Sequence, residues 1–344
     1  MKTSKEIHLS DLIHNLSHTH VNLNLEFLSK LLINSSKDDK PWRNRRFIEK
    51  ISCSCNKTKK SSTTIYGWMK GYRTVPFSKL IKIIELSDYS WRDIENNLIS
   101  IKAGIRNGEA YPNFPINIDE RLGSIIGHIL GDGSIDKRFH CLFFSNSNIE
   151  LLKEFRENMK VIFRMEPRIW IQRKYTYGCK TEWMLKAHNL NIIPIGHNVG
   201  LFYPKICSDI LYAIAGKFAE GKIKVITSKI KKFDKDFKKG LIKAFFDDEG
   251  SVRSDNYTIR FHQDNKELLE QIRNLIKEFN INSHNLKFYI KQKKLHYYFN
   301  INGFKEYASF YRQIGCTSSK KASELEELIN KVQNSKYFKK KYAL

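Results

Sequence analysis

Residues 123–152 align with residues 240–269 without a gap when the sequence is displaced by 117 positions, and nine of the thirty aligned pairs are identical. The identities are Gly123/Gly240, Ile125/Ile242, Gly133/Gly250, Ser134/Ser251, Phe144/Phe261, Asn148/Asn265, Glu150/Glu267, Leu151/Leu268 and Leu152/Leu269. Chance at ordinary composition would give about two. So long a period makes each copy a domain-sized unit rather than one turn of a solenoid. The chain is expected to build one fold twice and to set the copies about a pseudo-twofold axis.

Each copy opens on a helical segment with small residues four apart: Gly123, Gly127 and Gly131, then Gly240 and Ala244, with Asp248 in the third place. Short alternating segments follow at 139–145 and 257–263, and in the second of these Ile259 and Phe261 share one face while Thr258, Arg260 and His262 share the other. Next come amphipathic helices (Leu151, Leu152, Phe155, Met159; Leu268, Leu269, Ile272, Ile276) and strand-like stretches at 168–173 and 287–291. Helix, strands, helix, strands in each half predicts an α+β unit with helices on one sheet face. The other face is left free to be polar.

Glycine costs about 1 kcal/mol in a helix interior, so a stripe of three implies another helix at backbone distance. Gly123, Gly127, Gly240 and Ala244 are therefore predicted to form the interface between the two copies. A membrane-helix dimer uses the same spacing, but this segment is short and bounded by Asp119, Glu120 and Asp132. Parallel packing brings Asp132 and Glu249, each followed by glycine, together near the axis. Two carboxylates at helix C-termini repel each other and the helix dipoles. A divalent cation relieves that conflict, and magnesium takes one or two protein carboxylates plus substrate phosphates. An acid and glycine that merely end a helix would explain one copy more readily than two in register.

Charge narrows the partner. With 60 Lys+Arg against 36 Asp+Glu the formal net charge is +24, which points to a polyanion, nucleic acid ahead of a membrane surface. A 41% hydrophobic, 12% aromatic composition excludes a mostly disordered basic chain. No apolar run reaches the roughly 18 residues of a membrane span, and residues 1–20 lack the apolar centre of a signal peptide. An intracellular protein, cytoplasmic or nucleoid-associated, is expected. The six cysteines, Cys53, Cys55, Cys141, Cys179, Cys207 and Cys316, form neither a disulfide framework nor a zinc-ligand pattern. Metal-assisted phosphodiester hydrolysis is the chemistry these features share.

The residues from Ile125 to Gly133 (IIGHILGDG) and from Ile242 to Gly250 (IKAFFDDEG) resemble the paired motifs of the LAGLIDADG homing endonucleases, and the resemblance extends over residues 119–328. It implies αββαββα repeats in tandem, a saddle of two antiparallel sheets over double-stranded DNA, and a monomer made by duplication. It implies further that Asp132 and Glu249 hold Mg2+, with Mn2+ a possible substitute, and that Asn146 and Gln263 assist at the end of the second strand. Lysines near the active centre would be Lys320 and Lys321 in the second copy and Lys222 or Lys224 in the first. Thr258, Arg260 and His262 then face DNA. The departures are Ala244 in place of glycine and His128 inside the first motif, read as a packed or groove-side residue rather than a ligand. Many relatives lie within inteins; Met1 and the Tyr342-Ala343-Leu344 end point instead to a free-standing protein.

Before the repeat, residues 23–33 and 46–51 read as helices. Ser/Thr-rich 61–64 leads into Ile65, Tyr66, Trp68 and Lys70, with Gly71 as a stop and Pro76 opening the next helix. This resembles the recognition helix of a phage-repressor helix-turn-helix. Thr63, Thr64, Tyr66 and Lys70 become candidates for DNA contact; a helical adaptor with Ile65 and Trp68 in its core remains open. The expected layout is an all-α helix-turn-helix domain at 1–103, a linker at 104–118, the first repeat at 119–221, a basic connector at 222–239, the second repeat at 240–330 and a basic tail at 331–344. The reading is a site-specific double-strand DNA endonuclease. Its rivals are a transcriptional regulator that keeps the fold for binding, and an intron RNA maturase, which would make RNA a partner.

Overall fold

The structure, a computed structural model, describes residues 6–51, 58–104, 108–138, 140–172, 183–187, 197–221 and 223–334. The amino-terminal part runs β1 (Glu6–Ile7), a 3-10 turn, β2 (His20–Leu23), α1 (Leu25–Ser36), a second 3-10 turn, α2 (Arg45–Ile51), α3 (Thr58–Met69), β3 (Val75–Pro76), α4 (Phe77–Glu85), α5 (Trp91–Asn96), β4 (Leu98–Lys102), β5 (Glu109–Ala110) and β6 (Ile116–Asn117). Local signals set these bounds. The Asn24 side chain accepts from the Phe27 backbone N–H at the start of α1, and Gly71, at φ 72°, turns the chain after α3.

Two expectations are corrected here. The amino-terminal region is not all-α, because β3, β2, β4 and β5 form an antiparallel sheet in that order. Its strands are two to five residues long, too short for alternation to stand out beside strong helical periodicity. Nor is 104–118 a free linker. Glu109–Ala110 pair with β4, Ile116–Asn117 pair with β1, and the Tyr111 N–H donates to the Phe163 carbonyl at 2.9 Å. The glycines and prolines there mark turns in a tethered segment.

Next come α6 (Glu120–Leu130), β7 (Gly133–Ile135), β8 (Leu142–Asn146), α7 (Ile149–Phe163), β9 (Arg168–Gln172), β10 (Trp183–Ala187), β11 (Val199–Tyr203) and α8 (Lys205–Ala215). Their antiparallel sheet has the order β10-β9-β11-β8-β7. The stretch read as a basic connector holds β13 (Ile223–Lys224), which pairs with β12 (Ala219–Glu220), then α9 (Ser228–Lys232). It also holds the first turn of the next helix, since α10 spans Lys235–Glu249 and begins where the Asp234 side chain accepts from the Phe237 N–H. After it come β14 (Gly250–Arg253), β15 (Thr258–Gln263), α11 (Lys266–Lys277), β16 (Lys287–Lys291), β17 (Lys294–Ile301), α12 (Phe304–Gln313) and α13 (Ser319–Gln333), with sheet order β14-β15-β17-β16.

Pairings recur at the 117-residue displacement: Gly133 lies opposite Phe144 as Gly250 lies opposite Phe261, and Asn148 and Asn265 both cap the helix that follows. The predicted apolar faces of α7 (Leu151, Leu152, Phe155, Met159) and α11 (Leu268, Leu269, Ile272, Ile276) are buried. Each such side chain removed from water contributes about 1.5–3 kcal/mol.

Helices α6 and α10 lie side by side and parallel at the centre. A Cβ built on Gly123 would strike the Phe237 carbonyl oxygen, one on Gly127 the Leu241 carbonyl oxygen, and one on Gly240 the Glu120 carbonyl oxygen. The Gly123–Phe237 contact displaced by 117 residues in each partner is the Gly240–Glu120 contact. Small side chains are what allow the approach.

Candidate active site

The parallel packing of α6 and α10 delivers their C-terminal ends to one place. The Asn146 amide Nδ2 donates to Asp132 Oδ2 at 2.9 Å, and the Gln263 amide Nε2 donates to Glu249 Oε1 at 2.5 Å. These two acid–amide pairs correspond at the 117-residue displacement. Each joins a motif-helix end to the last residue of the second strand of its own repeat. Burial, then the charges of Asp248 and Glu249, push the Asp132 carboxyl up to about 7. Burial also pushes Glu249 up to about 7, with Asp248 adding to the shift and Lys224 opposing it. Asp132 still keeps an exposed edge and Glu249 is half-buried, and two acids held next to the negative charge of Asp248 make a place where a cation is favoured.

The sequence reading placed Asp248 among the small residues of the stripe and missed its part in this cluster. Its side chain is fully buried. Oδ2 accepts from the Asp132 backbone N–H at 3.3 Å, and Oδ1 lies 3.4 Å from Asn146 Nδ2. The available signal was the mismatch at the corresponding place, glycine at 131 against aspartate at 248. A Cβ on Gly131 would stand 2.5 Å from Asp248 Oδ2, so glycine on one helix makes room for the carboxylate of the other.

His128 is packed, as the residues led one to expect. It is fully buried, with its ring 4.7 Å from Phe144 and 5.9 Å from Phe155 between centroids. Nδ1 is 3.0 Å from Asp248 Oδ2, while Nε2 is 3.8 Å from Glu154 Oε2, an ion-pair distance without a hydrogen bond. Burial works against the charged ring, yet Asp248 and then Glu154 push its pKa up to about 10. Burial likewise opposes ionised Glu154, which His128 and Thr317 hold down at about 2.

Two lysines cover the helix ends. Lys224 Nζ donates to the Gly131 carbonyl, and Lys321 Nζ donates to the carbonyls of Phe246 at 2.9 Å and Asp247 at 2.6 Å. Burial lowers both ammonium pKa values, against the pull of nearby carboxylates. Lys320 is displaced from the place given to it. Its side chain is 84% exposed and lies 3.9 Å from Glu324, because one residue along α13 turns it away from the cluster that Lys321 enters. Asp247 accepts from the Thr317 N–H at 2.7 Å and the Ser318 N–H at 3.1 Å, which anchors the start of α13. Lys222, with Cys53, Cys55, Cys179 and the end of the basic tail, lies outside the described residues.

On the second sheet, Arg260 and His262 lie on the face away from the core. Arg260 Nε donates to Asn300 Oδ1 at 3.0 Å, and its guanidinium carbon stands 4.3 Å from the Tyr298 ring centroid. His262 Nε2 is 4.0 Å from Glu249 Oε2. Thr258, assigned to this face, is buried, its hydroxyl held at 3.0 Å by Asn302 Oδ1 where the sheet closes. Strand register adds Lys287 and Tyr289 to the face, and gives the first sheet a counterpart in Phe143, Phe202 and Trp170 that sequence reasoning did not name.

Far along the sequence, α3 buries Ile65 and Trp68 and exposes Thr63 and Tyr66, and Lys70, just past its end, is exposed as well. Thr64 is half-buried, its hydroxyl accepting from Arg73 Nη1 at 3.2 Å. Among the described residues no helix is long and apolar enough to cross a membrane, and no three His, Cys, Asp or Glu side chains gather as a metal-binding group.

The chain is 28% identical over 263 residues to the DNA-directed RNA polymerase subunit Rpo1C of Methanocaldococcus jannaschii; the match takes in 75% of this chain and 26% of that protein. The chain thus spans about a quarter of the curated relative it matches. Among solved structures, the homing endonuclease I-DmoI is 14% identical, with 58% of this chain and 96% of that one covered at a TM-score of 0.39. Full-length DUF199/WhiA from Thermatoga maritima is 16% identical, with 67% and 68% covered at the same TM-score. Both likenesses are distant. A family model described as a LAGLIDADG-like domain matches residues 236–315, which run from the first turn of α10 past the end of α12 in the second half of this α+β chain.

Proposed function

We propose that the chain is a site-specific double-strand DNA endonuclease that hydrolyses phosphodiesters with Mg2+, or Mn2+ in its place. The carrying observation is the matched pair of acids, each held by an amide of its own repeat, Asp132 with Asn146 and Glu249 with Gln263, at the ends of two parallel helices. The donor chemistry fits a hard dication, since magnesium needs only one or two protein carboxylates when phosphates complete its shell. Asp132 and Glu249 would hold it. When bound, it polarises the phosphate and lowers the pKa of water.

The protein's own groups supply the rest. The amides of Asn146 and Gln263 orient one oxygen of each acid and leave the other lone pairs outward. Lys224 and Lys321 offset the negative ends of the helices and bring positive charge to where a phosphate would sit. Arg260 and Lys287 offer cationic groups and His262 a hydrogen-bonding ring to a duplex, and Thr63 and Tyr66 of α3, with Lys70 just past its end, offer a second contact.

The test is cleavage of a randomised duplex library in magnesium, followed by strand-resolved assay of the selected site. Asp132→Asn and Glu249→Gln are each expected to abolish double-strand cleavage while binding persists. Undiminished cutting by both variants would overturn the reading.

A further inference from the structure

The two halves of the site are not equivalent. Helix α10 continues through Glu249, whereas α6 stops at Leu130, leaving Asp132 beyond the helix end. The Asp132 N–H, released from the helical ladder, donates to Asp248. Displacement by 117 residues shows what the other half lacks: His128 corresponds to Phe245 and Asp248 to Gly131. The Asp132 half therefore has a buried carboxylate beneath it and a buried imidazole behind that carboxylate, and the Glu249 half has a phenyl ring and a hydrogen in those places. His128 takes no part in the chemistry proposed above, and a side chain this buried that faces carboxylates from two helices needs a reason.

We infer that His128 is a positioning residue for the Asp132 half of the site alone. Clamped between Glu154 of α7 and Asp248 of α10, it fixes the Asp248 carboxylate, which in turn fixes the Asp132 backbone and the Asn146 amide. Asp132 is thereby set before substrate arrives, whereas Glu249 has the Gln263 amide and, 4.0 Å away, His262 Nε2, with no carboxylate–imidazole pair behind it. The inference rests on the nuclease reading and adds to it: the two DNA strands meet chemically unequal half-sites, and one interaction controls the difference.

The experiment measures the cleavage rate of each strand of the selected duplex, end-labelled separately, for the parent, His128→Gln, Asp248→Asn and Asn146→Ala. Removing an outer group that orients a ligand costs roughly 10- to 100-fold, so His128→Gln is expected to slow one strand by that factor, the same strand that Asn146→Ala slows, and to spare the other. Equal slowing of both strands, which a merely destabilised fold would give, overturns the inference, as does no slowing. If His128→Gln does not fold, Asp248→Asn keeps the shape and is expected to slow the same strand; parental rates there also overturn it. A second readout needs no cleavage: imidazole 15N shifts of the full chain should show both His128 ring nitrogens protonated near neutral pH, and Asp248→Asn should abolish that signature. A neutral ring in the parent overturns the clamp. If no duplex is cut by the parent while the doubly protonated ring is seen, the nuclease reading fails and the clamp stands.

Discussion

Gly127 and Ala244 stand 117 residues apart and meet each other between the motif helices, where a Cβ built on Gly127 would come 2.9 Å from the Ala244 methyl. The same built atom would collide with the Leu241 carbonyl oxygen, and backbone does not yield as a flexible side chain does. Because Ala244 already carries a methyl, the sequence alone makes Gly127→Ala look mild. The structure reverses that. The two positions share one gap, and a methyl from one helix fills it.

Gly127→Ala is therefore expected to cost about 1–3 kcal/mol, the usual range for overpacking a tight interface, and Gly127→Leu more. Chemical denaturation of both variants checks this. An alanine variant as stable as the parent would mean that the helices separate at little cost.

The two amide-held acids set a pH dependence. Asp132 and Glu249 have ordinary values of 3.8 and 4.5 and reach about 7 when folded, so between these limits the folded chain binds more protons than the unfolded one. Stability from these groups must fall as pH rises through that window. His128 acts in the same direction further up, its contribution present below 6.5 and lost as pH climbs through about 10. In metal-free buffer, Tm is expected to decline from about pH 5 to about pH 8. Magnesium should raise Tm most at the alkaline end, and Asp132→Asn with Glu249→Gln should flatten the decline. Scanning calorimetry with and without magnesium measures both effects.

Adjacent lysines separate orientation from charge. Lys321→Met is expected to slow cleavage roughly 10- to 100-fold, as loss of a group supporting the site does, while Lys320→Met leaves it near parental. The same net charge is removed in each case. Equal effects would mean that bulk charge, not the carbonyl-bound ammonium at the end of α10, is what matters.

Arg260 is braced by Asn300 across the strand pair and by Tyr298 alongside, so if the chain binds DNA as proposed, its guanidinium meets the duplex in a fixed orientation. A fixed guanidinium pairs with the O6 and N7 of guanine, and such a pair discriminates by about 1–3 kcal/mol. Base preference from selected sites should show guanine at one position, relaxed in Arg260→Ala. Binding as a whole should weaken with salt by about 0.9 log units per phosphate contact per log unit of salt.

The duplication, the helix stripe and the two acids were legible in the sequence because each is written twice, and a register error in one copy would be exposed by the other; Asn146 and Gln263 came from the family resemblance, and their bonds to the acids from the structure. What the sequence hid is what the copies do not share. Asp248 and His128 act through each other across the interface, a pairing of positions 120 residues apart with no counterpart at the related sites. Lys321 differs from Lys320 only by its phase on α13. The amino-terminal strands escaped notice because their hydrogen-bond partners lie distant in sequence, as with Val21 opposite Ile101.

Strands β1 and β6 are neighbours, Ile7 opposite Ile116 and Glu6 opposite Asn117, so the amino-terminal part leaves and returns at one point just before Asp119 caps α6. His18 Nε2, 3.1 Å from Asp209 Oδ2, pins it to α8 as well. A DNA reader mounted this way works as a ruler. If α3 touches the duplex, the number of base pairs between that touch and the cut is written into the protein, and one inserted pair would rotate the contact by about 35° around the DNA axis. A tethered reader would absorb the change; this one would lose either its contact or its place of cutting.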